Sequence, residues 1–255
     1  TRYVSADERR GLVPRLLREL MDQRDYHKSE LKKARESGQE EAAFLHDQLQ
    51  YAVKILMNSF YGVFASSFYR FTHPDLGASI TEWARHNIRT IINNVETDGH
   101  DVVYSDTDSI FVKVPVRPDS PINRPPQNSL VFEDWKNARK ETLDFGNSLA
   151  DRFTKEGAEL EFEAALSAFF SHGAKKRYVG RVVWPREEML IRGYEVRRTD
   201  SFRLLTGTMT EMFELILSNE EWSAVEMSKS VIDDIRAKRV EAAELVISRS
   251  CKGSL

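Results

Sequence analysis

Asp106 and Asp108 stand one residue apart within Val102-Val103-Tyr104-Ser105-Asp106-Thr107-Asp108-Ser109-Ile110-Phe111-Val112. Apolar, β-branched runs flank a short polar island, and that pattern predicts a β-hairpin with both carboxylates at its turn. Carboxylates held that close repel each other, and a divalent cation relieves the repulsion most directly. Asp and Ser are also ordinary turn residues. A solvated turn would carry the same letters, so the rest of the chain has to separate the two readings.

Cations with helical spacing form the second set. Arg24 and Lys28 are four residues apart, and Lys54, Asn58 and Tyr61 recur at i, i+4 and i+7, so each group shares one helix face. Counted from Gly38 at ~1.5 Å per residue, Lys28 lies ~15 Å and Lys54 ~24 Å along its helix. Converging cations would suit a triphosphate, while a solvated basic face would look the same. Lys54 and Asn58 interrupt an otherwise apolar run, and a charge there wants a partner. A third group is Lys175-Lys176-Arg177-Tyr178, followed by Arg192-Gly193, Arg197-Arg198 and Arg203. Basic residues interleaved with an aromatic suit a phosphodiester backbone, as they would suit a charged sheet edge.

The elements that must carry these residues follow from periodicity. Leu12, Val13, Leu16, Leu17, Leu20 and Met21 begin a helix running to about Arg35, with Gly38 as its C-cap. A second helix runs from Ala43 towards Tyr61-Gly62, making an antiparallel hairpin. A third spans about 74–95, with Ile80, Trp83, Ala84, Ile88, Ile91 and Ile92 as its buried stripe and Trp83 with the nearby Phe residues as core. Five prolines between Pro115 and Pro126 predict a surface loop. A helix over about 132–156 precedes strands at 160–163, 177–184 and 189–196, with Glu161 and Glu163 on one strand face. Helices follow at 204–217 and 222–239, the latter capped by Ser218 or Asn219, and Leu245-Val246-Ile247 reads as a short strand. The fold class expected is α+β with a mostly antiparallel sheet.

Composition sets bounds. The chain has 255 residues, 41% of them hydrophobic, and a net charge of −3. No general basic field marks a nucleic-acid partner, but charge is uneven. Nine Lys/Arg face four Asp/Glu from Ser171 to Arg203, and the ratio reverses from Glu211 to Glu244. The first stretch could follow a polyanion. Cys251 is the sole cysteine, which excludes a disulfide framework and suits a reducing, cytoplasmic compartment. No stretch reads as a membrane span or a signal peptide. Thr1 in place of Met suits a piece of a longer chain.

Four of these segments carry a resemblance. Lys54-Ile55-Leu56-Met57-Asn58-Ser59-Phe60-Tyr61-Gly62 is similar to the Lys-x-x-x-Asn-Ser-x-Tyr-Gly motif of family B DNA polymerases. Tyr104 to Ser109 matches that family's Tyr-x-Asp-Thr-Asp-Ser motif, Lys175 to Tyr178 its Lys-Lys-x-Tyr motif, and Arg192-Gly193-x-Glu195-x-x-Arg198-x-Asp200 the Arg-Gly segment that follows. Order and spacing agree over roughly residues 11–250, most closely with the archaeal replicative type.

The resemblance implies a palm-side lead-in at 1–11, a helical-hairpin fingers subdomain at 12–62, an antiparallel-sheet palm at 63–200 and a partial, helical thumb at 201–255. It implies template-directed DNA synthesis from dNTPs on a primer-template, with two Mg²⁺ ions. Asp108 would be a catalytic metal ligand with Asp106 beside it, and Glu161 or Glu163 an auxiliary acid. Arg24, Lys28, Lys54, Asn58 and Tyr61 would meet the incoming dNTP. Lys175, Lys176, Arg177, Tyr178 and Arg198 would meet DNA.

The family's Asp-x-x-Ser-Leu-Tyr-Pro-Ser motif, which carries its other catalytic aspartate, is not in this sequence, nor is its 3′–5′ exonuclease domain. The expectation is a fragment or split-enzyme half. An upstream segment or a second polypeptide would complete the metal site. Competing readings are an Asp-x-Asp glycosyltransferase, which leaves the Lys54 face and Lys175 to Tyr178 unexplained, and a non-catalytic DNA-binding subunit with a polymerase-like shape.

Overall fold

A computed structural model describes residues 2–70, 72–115, 125–155, 160–198 and 200–248. The chain is α+β and divides into two compact units, Thr1–Asn87 and Ile88–Leu255. Among the described residues no helix is long and apolar enough to cross a membrane.

The first unit is built on an antiparallel pair, α1 (Leu12–Glu36) and α2 (Glu40–Ala65). Gly38, at φ +70°, ends α1 in the left-handed conformation that glycine adopts without steric cost. Gln39 N–H donates to Ala34 O at 2.9 Å and Gly38 N–H to Arg35 O at 3.3 Å, so the turn satisfies two free carbonyls of α1. The helix register is marked where the rings of His27 and His46 meet, Nδ1 to Nδ1, at 3.0 Å. Helix α2 continues three residues past Gly62, whose missing side chain faces open space.

Helix α3 (Pro74–Thr97) begins in this unit. Gly77 sits against α2, where an added Cβ would come 3.0 Å from Ala65 Cβ. The expected aromatic core here is not found: Phe68 is 88% exposed and Trp83 64%. Phe68 follows α2 and Trp83 lies on α3, outside the α1–α2 seam that this unit buries, so periodicity alone overstates burial there.

The second unit has two small cores. Ile91 and Val95, on the far end of α3, bury against Phe153 of α4 (Phe132–Lys155) and the inner residues Val102, Ile110 and Val112 of a β-hairpin. The hairpin is β1 (Val102–Asp106) and β2 (Ser109–Val112). The other core joins a three-stranded antiparallel sheet to α5 (Arg203–Leu217), with Val179, Ile191, Phe213 and Leu217 at its centre. The sheet order is β3-β4-β5, with β3 at Ala165–Ser171, β4 at Tyr178–Trp184 and β5 at Glu188–Arg192.

Helix α6 (Glu221–Arg236) packs on α5. The residue before it is Glu220, not Ser218 or Asn219. Those two instead close α5, with Asn219 at φ +61° and Glu220 N–H donating to Leu215 O.

Three strand expectations are corrected. Residues 160–164 are not paired in a sheet, and β3 begins at Ala165. Leu160 and Phe162 turn inward and Glu161 and Glu163 outward, so the alternation exists without a ladder. Phe162 stacks on Trp184 at 4.9 Å and 4° and fills the space a side chain at Gly146 would need, which holds this segment by packing. Strand β5 stops at Arg192, because Gly193 turns the chain at φ +72° and Glu195–Arg197 is a 3₁₀ turn. Ala242–Leu245 is also a 3₁₀ turn, and Val246–Ile247 has no strand partner among the described residues. Most of the proline-rich loop and Cys251 lie outside the described residues.

Candidate active site

The β1–β2 turn is built to hold Asp106 still. Asp106 pairs with Ser109 across the hairpin. Asp108 N–H donates to Asp106 O at 2.7 Å, which closes a three-residue turn around Thr107. Thr107 therefore sits at φ +57°, a region a β-branched residue rarely enters. Side chains support the strained turn: Thr107 Oγ1 donates to Asp106 Oδ1 at 3.1 Å and Ser109 Oγ to Asp106 O at 3.1 Å. Asp106 is the last residue of β1 and half-buried, while Asp108 is exposed in the turn. The expected pair at the tip is thus an anchored carboxylate and a free-standing one.

Behind the turn, four aromatic rings tie the hairpin to the three-stranded sheet. Tyr104 and Phe111 of the hairpin meet Phe169 of β3 and Tyr178 of β4, with ring centroids 4.9–5.5 Å apart across the two sheets. This packing sets the height and tilt of the acidic turn.

The Lys175–Tyr178 segment arrives at the same place. Lys176, at φ +63°, donates its backbone N–H to Tyr104 Oη at 3.0 Å. Its ammonium donates to Thr107 Oγ1 at 3.2 Å and lies 3.8 Å from Asp106 Oδ1. Gly193 closes the other side: a Cβ there would lie 2.0 Å from Lys176 O. Lys175 is exposed, and Arg177 pairs with Glu195 at 3.6 Å beside the ring of Tyr194.

Tyr178, expected at the DNA backbone, is instead buried beneath the hairpin. Burial pushes its phenol above the ordinary value, with the Asp106 charge adding to the rise, while Arg192 hydrogen-bonds the phenol and opposes it. Arg198 is held in a fork by Asp200, at 2.8 and 2.9 Å. Glu161 and Glu163 are exposed on the unpaired segment before β3.

The hairpin residues divide differently from expectation. Lys54, Asn58 and Tyr61 do share an exposed face of α2, so Lys54 is not the buried charge its apolar neighbours suggest. Arg24 is half-buried, and its Nε is buried with no hydrogen-bond partner among the described residues. Lys28 is exposed. The His27–His46 contact sets residue 28 opposite residue 45, so Lys54 lies about 14 Å further from the Gly38 turn than Lys28 does. Arg24 is closer to the level of Lys54, about 8 Å away along the axis.

Tyr104 and Thr107 contribute to the site although neither residue type signals it in the sequence. Tyr104 was visible only as a motif letter. That its hydroxyl would accept from a residue 72 positions away needs the tertiary fold.

Asp106 and Asp108 present hard carboxylate oxygens, the donor class that Mg²⁺ takes. The Lys176 ammonium beside Asp106 shows that the site accommodates positive charge. The residues therefore fit such an ion, although among the described residues no cluster of three or more His, Cys, Asp or Glu side chains forms.

The profile of DNA polymerase family B matches residues 1–121 and 128–254. A DNA polymerase delta catalytic subunit of Candida albicans is 29% identical over 97% of this chain and 23% of its own length. A DNA polymerase of Archaeoglobus fulgidus is 32% identical over 93% of this chain and 27% of its own. The solved family B polymerase of the hyperthermophilic archaeon Pyrobaculum calidifontis superposes with a TM-score of 0.60. It is 23% identical, over 93% of this chain and 27% of that one. The chain thus spans about a quarter of the length of the relatives it matches.

Proposed function

The chain belongs to DNA polymerase family B, and from that premise we propose that it forms part of the site at which deoxynucleotides are joined to a primer 3′-OH under the direction of a template. The observation that carries this is the meeting of three separated motifs, Tyr104–Ser109, Lys175–Tyr178 and Arg192–Gly193, at one acidic turn.

Asp108 and Asp106 would hold the Mg²⁺ ions. Bound there, the metal would lower the pKa of the primer hydroxyl and balance charge on the triphosphate. The protein's own part is positional. The Thr107 turn fixes Asp106, and the aromatic rings fix the turn. Lys175 and Arg177 offer exposed charge to the primer-template backbone, and Arg198 joins them if DNA displaces Asp200. Tyr178 serves from beneath, as a support. Lys54, Asn58 and Tyr61 present one face to the dNTP, with Arg24 and Lys28 as further cations for its phosphates.

Two carboxylates do not complete two metal sites. We place the remaining catalytic aspartate outside residues 1–255, on another segment or a second polypeptide, together with any exonuclease. Such an enzyme works on DNA, in the cytoplasm at the nucleoid. Glu161 and Glu163 stay as alternatives for an auxiliary acid.

Primer extension with Mg²⁺ and dNTPs tests the reading. The chain alone is expected to be inactive, and to become active when joined to a family B segment carrying the Asp-x-x-Ser-Leu-Tyr-Pro-Ser motif. Robust synthesis by the chain alone would overturn the missing-ligand reading. Failure in both forms, with primer-template still bound, would favour the non-catalytic subunit.

A further inference from the structure

The Lys176 ammonium lies on the same carboxylate that the function needs for a metal ion. It stands 3.8 Å from Asp106 Oδ1 and donates to Thr107 Oγ1 at 3.2 Å. Resting on the polymerase reading, we propose that Lys176 is a positioning residue. Its ammonium stands in for the divalent cation at Asp106, holds the acidic turn in shape while no ion is bound, and yields when one arrives.

An exposed lysine pair ordinarily contributes little, because ordering a long side chain costs as much as the Coulomb attraction returns. Here much of the ordering is done by the backbone. Lys176 is fixed at φ +63°, its N–H is held by Tyr104 Oη, and its carbonyl is backed by Gly193. What remains free is the side chain, which is 71% exposed, whereas that of Asp106 is 22% exposed. The anion is thus held in place and the cation is free to leave.

The need for such a device is local. Thr107 adopts a rare backbone conformation between two carboxylates, and without a counter-charge their repulsion would act on the turn that is already strained. A lysine on a neighbouring turn relieves this without occupying the site permanently. A bidentate arginine would bind the carboxylate in a fixed fork and be harder to displace. The stand-in has a thermodynamic consequence: an entering divalent cation must displace the ammonium, so Lys176 weakens the first ion's affinity while shaping the site for it.

The test is a Mn²⁺ titration of the full 255-residue chain without DNA, read as paramagnetic broadening of the Thr107 and Asp108 amide resonances. In Lys176→Met the half-maximal Mn²⁺ concentration is expected to fall about two- to fivefold. In Lys176→Arg, whose guanidinium is harder to displace, the midpoint is expected to rise, and in Lys175→Met, which removes an equal charge from the residue beside it, the midpoint is expected to stay at the wild-type value. An unchanged or raised midpoint in Lys176→Met overturns the inference and leaves the metal-site reading standing. A fall of equal size in Lys175→Met also overturns it, since general charge would then explain the effect. Hairpin resonances that ignore Mn²⁺ in every variant overturn both.

Discussion

Gly193 closes against Lys176 so tightly that a Cβ on the glycine would lie 2.0 Å from the lysine carbonyl oxygen. Gly193 is itself at φ +72° and Lys176 at φ +63°, so two left-handed residues from separate motifs face each other. The Arg-Gly segment is thereby a mould for the basic turn. Gly193→Ala meets both a strained backbone and a backbone clash that no rotamer can relieve. It is expected to cost about 2–4 kcal/mol, measured by urea unfolding.

Tyr104 connects the hairpin to the same turn through its hydroxyl, which accepts the Lys176 N–H. Tyr104→Phe keeps the ring in its cluster with Phe111, Phe169 and Tyr178 and removes one acceptor. The expected loss is about 0.5–1.5 kcal/mol. Faster hydrogen exchange confined to the Lys176 amide would identify the lost bond. Exchange unchanged at Lys176 would show that the Tyr104 hydroxyl does not protect this amide.

Tyr178 gives the second unit an alkaline limit. Burial raises its phenol above the ordinary value, and Asp106 adds to the rise. A raised acid stays neutral in the fold while the unfolded chain ionises near 10.0. Its contribution to stability is therefore complete below that value and is lost as pH climbs through and beyond it. Tyr194, likewise raised by burial, adds in the same direction. Unfolding midpoints measured from pH 8 to pH 11 should fall at the alkaline end, and Tyr178→Phe should flatten part of that fall.

Asp108 and Asp106 should separate in mutagenesis. Asp108 is exposed in the turn, whereas Asp106 carries the contacts from Thr107, Ser109 and Lys176. Asp108→Asn is expected to change stability by less than about 0.5 kcal/mol. In an enzyme completed with the further aspartate it should cut primer extension by roughly 10²-fold or more. DNA affinity, read by fluorescence anisotropy, should hold. Extension at the wild-type rate would remove Asp108 from the metal site.

Legibility of the sequence followed the range of the interactions. The helices over 12–36, 74–97 and 132–155 and the acidic hairpin rest on local periodicity and turn chemistry, and they formed where those signals lie. Strand β3 was hidden. Ala165–Ser171 has no alternation to show, because it packs on both faces, and the alternating 160–163 segment before it found no strand to pair with. Trp83 and Phe68 carry core-like letters on a unit with too few elements to cover them. At the site, the motifs named Asp106, Asp108 and Lys176, but their convergence depends on contacts some 70 residues apart. Left-handed Lys176 and Thr107 could not be read from types that ordinarily avoid that region.

Arg24 and Lys54 should agree in dNTP use and differ in what they cost the fold. Arg24 is drawn into the α1–α2 seam with its Nε buried and without a hydrogen-bond partner among the described residues. A guanidinium kept there costs stability. Arg24→Met supplies an apolar chain of similar length, so the hairpin is expected to hold its stability or gain up to about 1 kcal/mol. If the charge is kept for a triphosphate, the same variant raises the apparent KM for dNTPs in the completed enzyme. Lys54→Ala, on an exposed face, should leave stability within about 0.5 kcal/mol and also weaken dNTP use. Thermal unfolding and steady-state extension measure both. An Arg24→Met protein that unfolds more easily and keeps its KM would make Arg24 a packing residue of the seam, and the triphosphate role would then rest on Lys54 and Asn58.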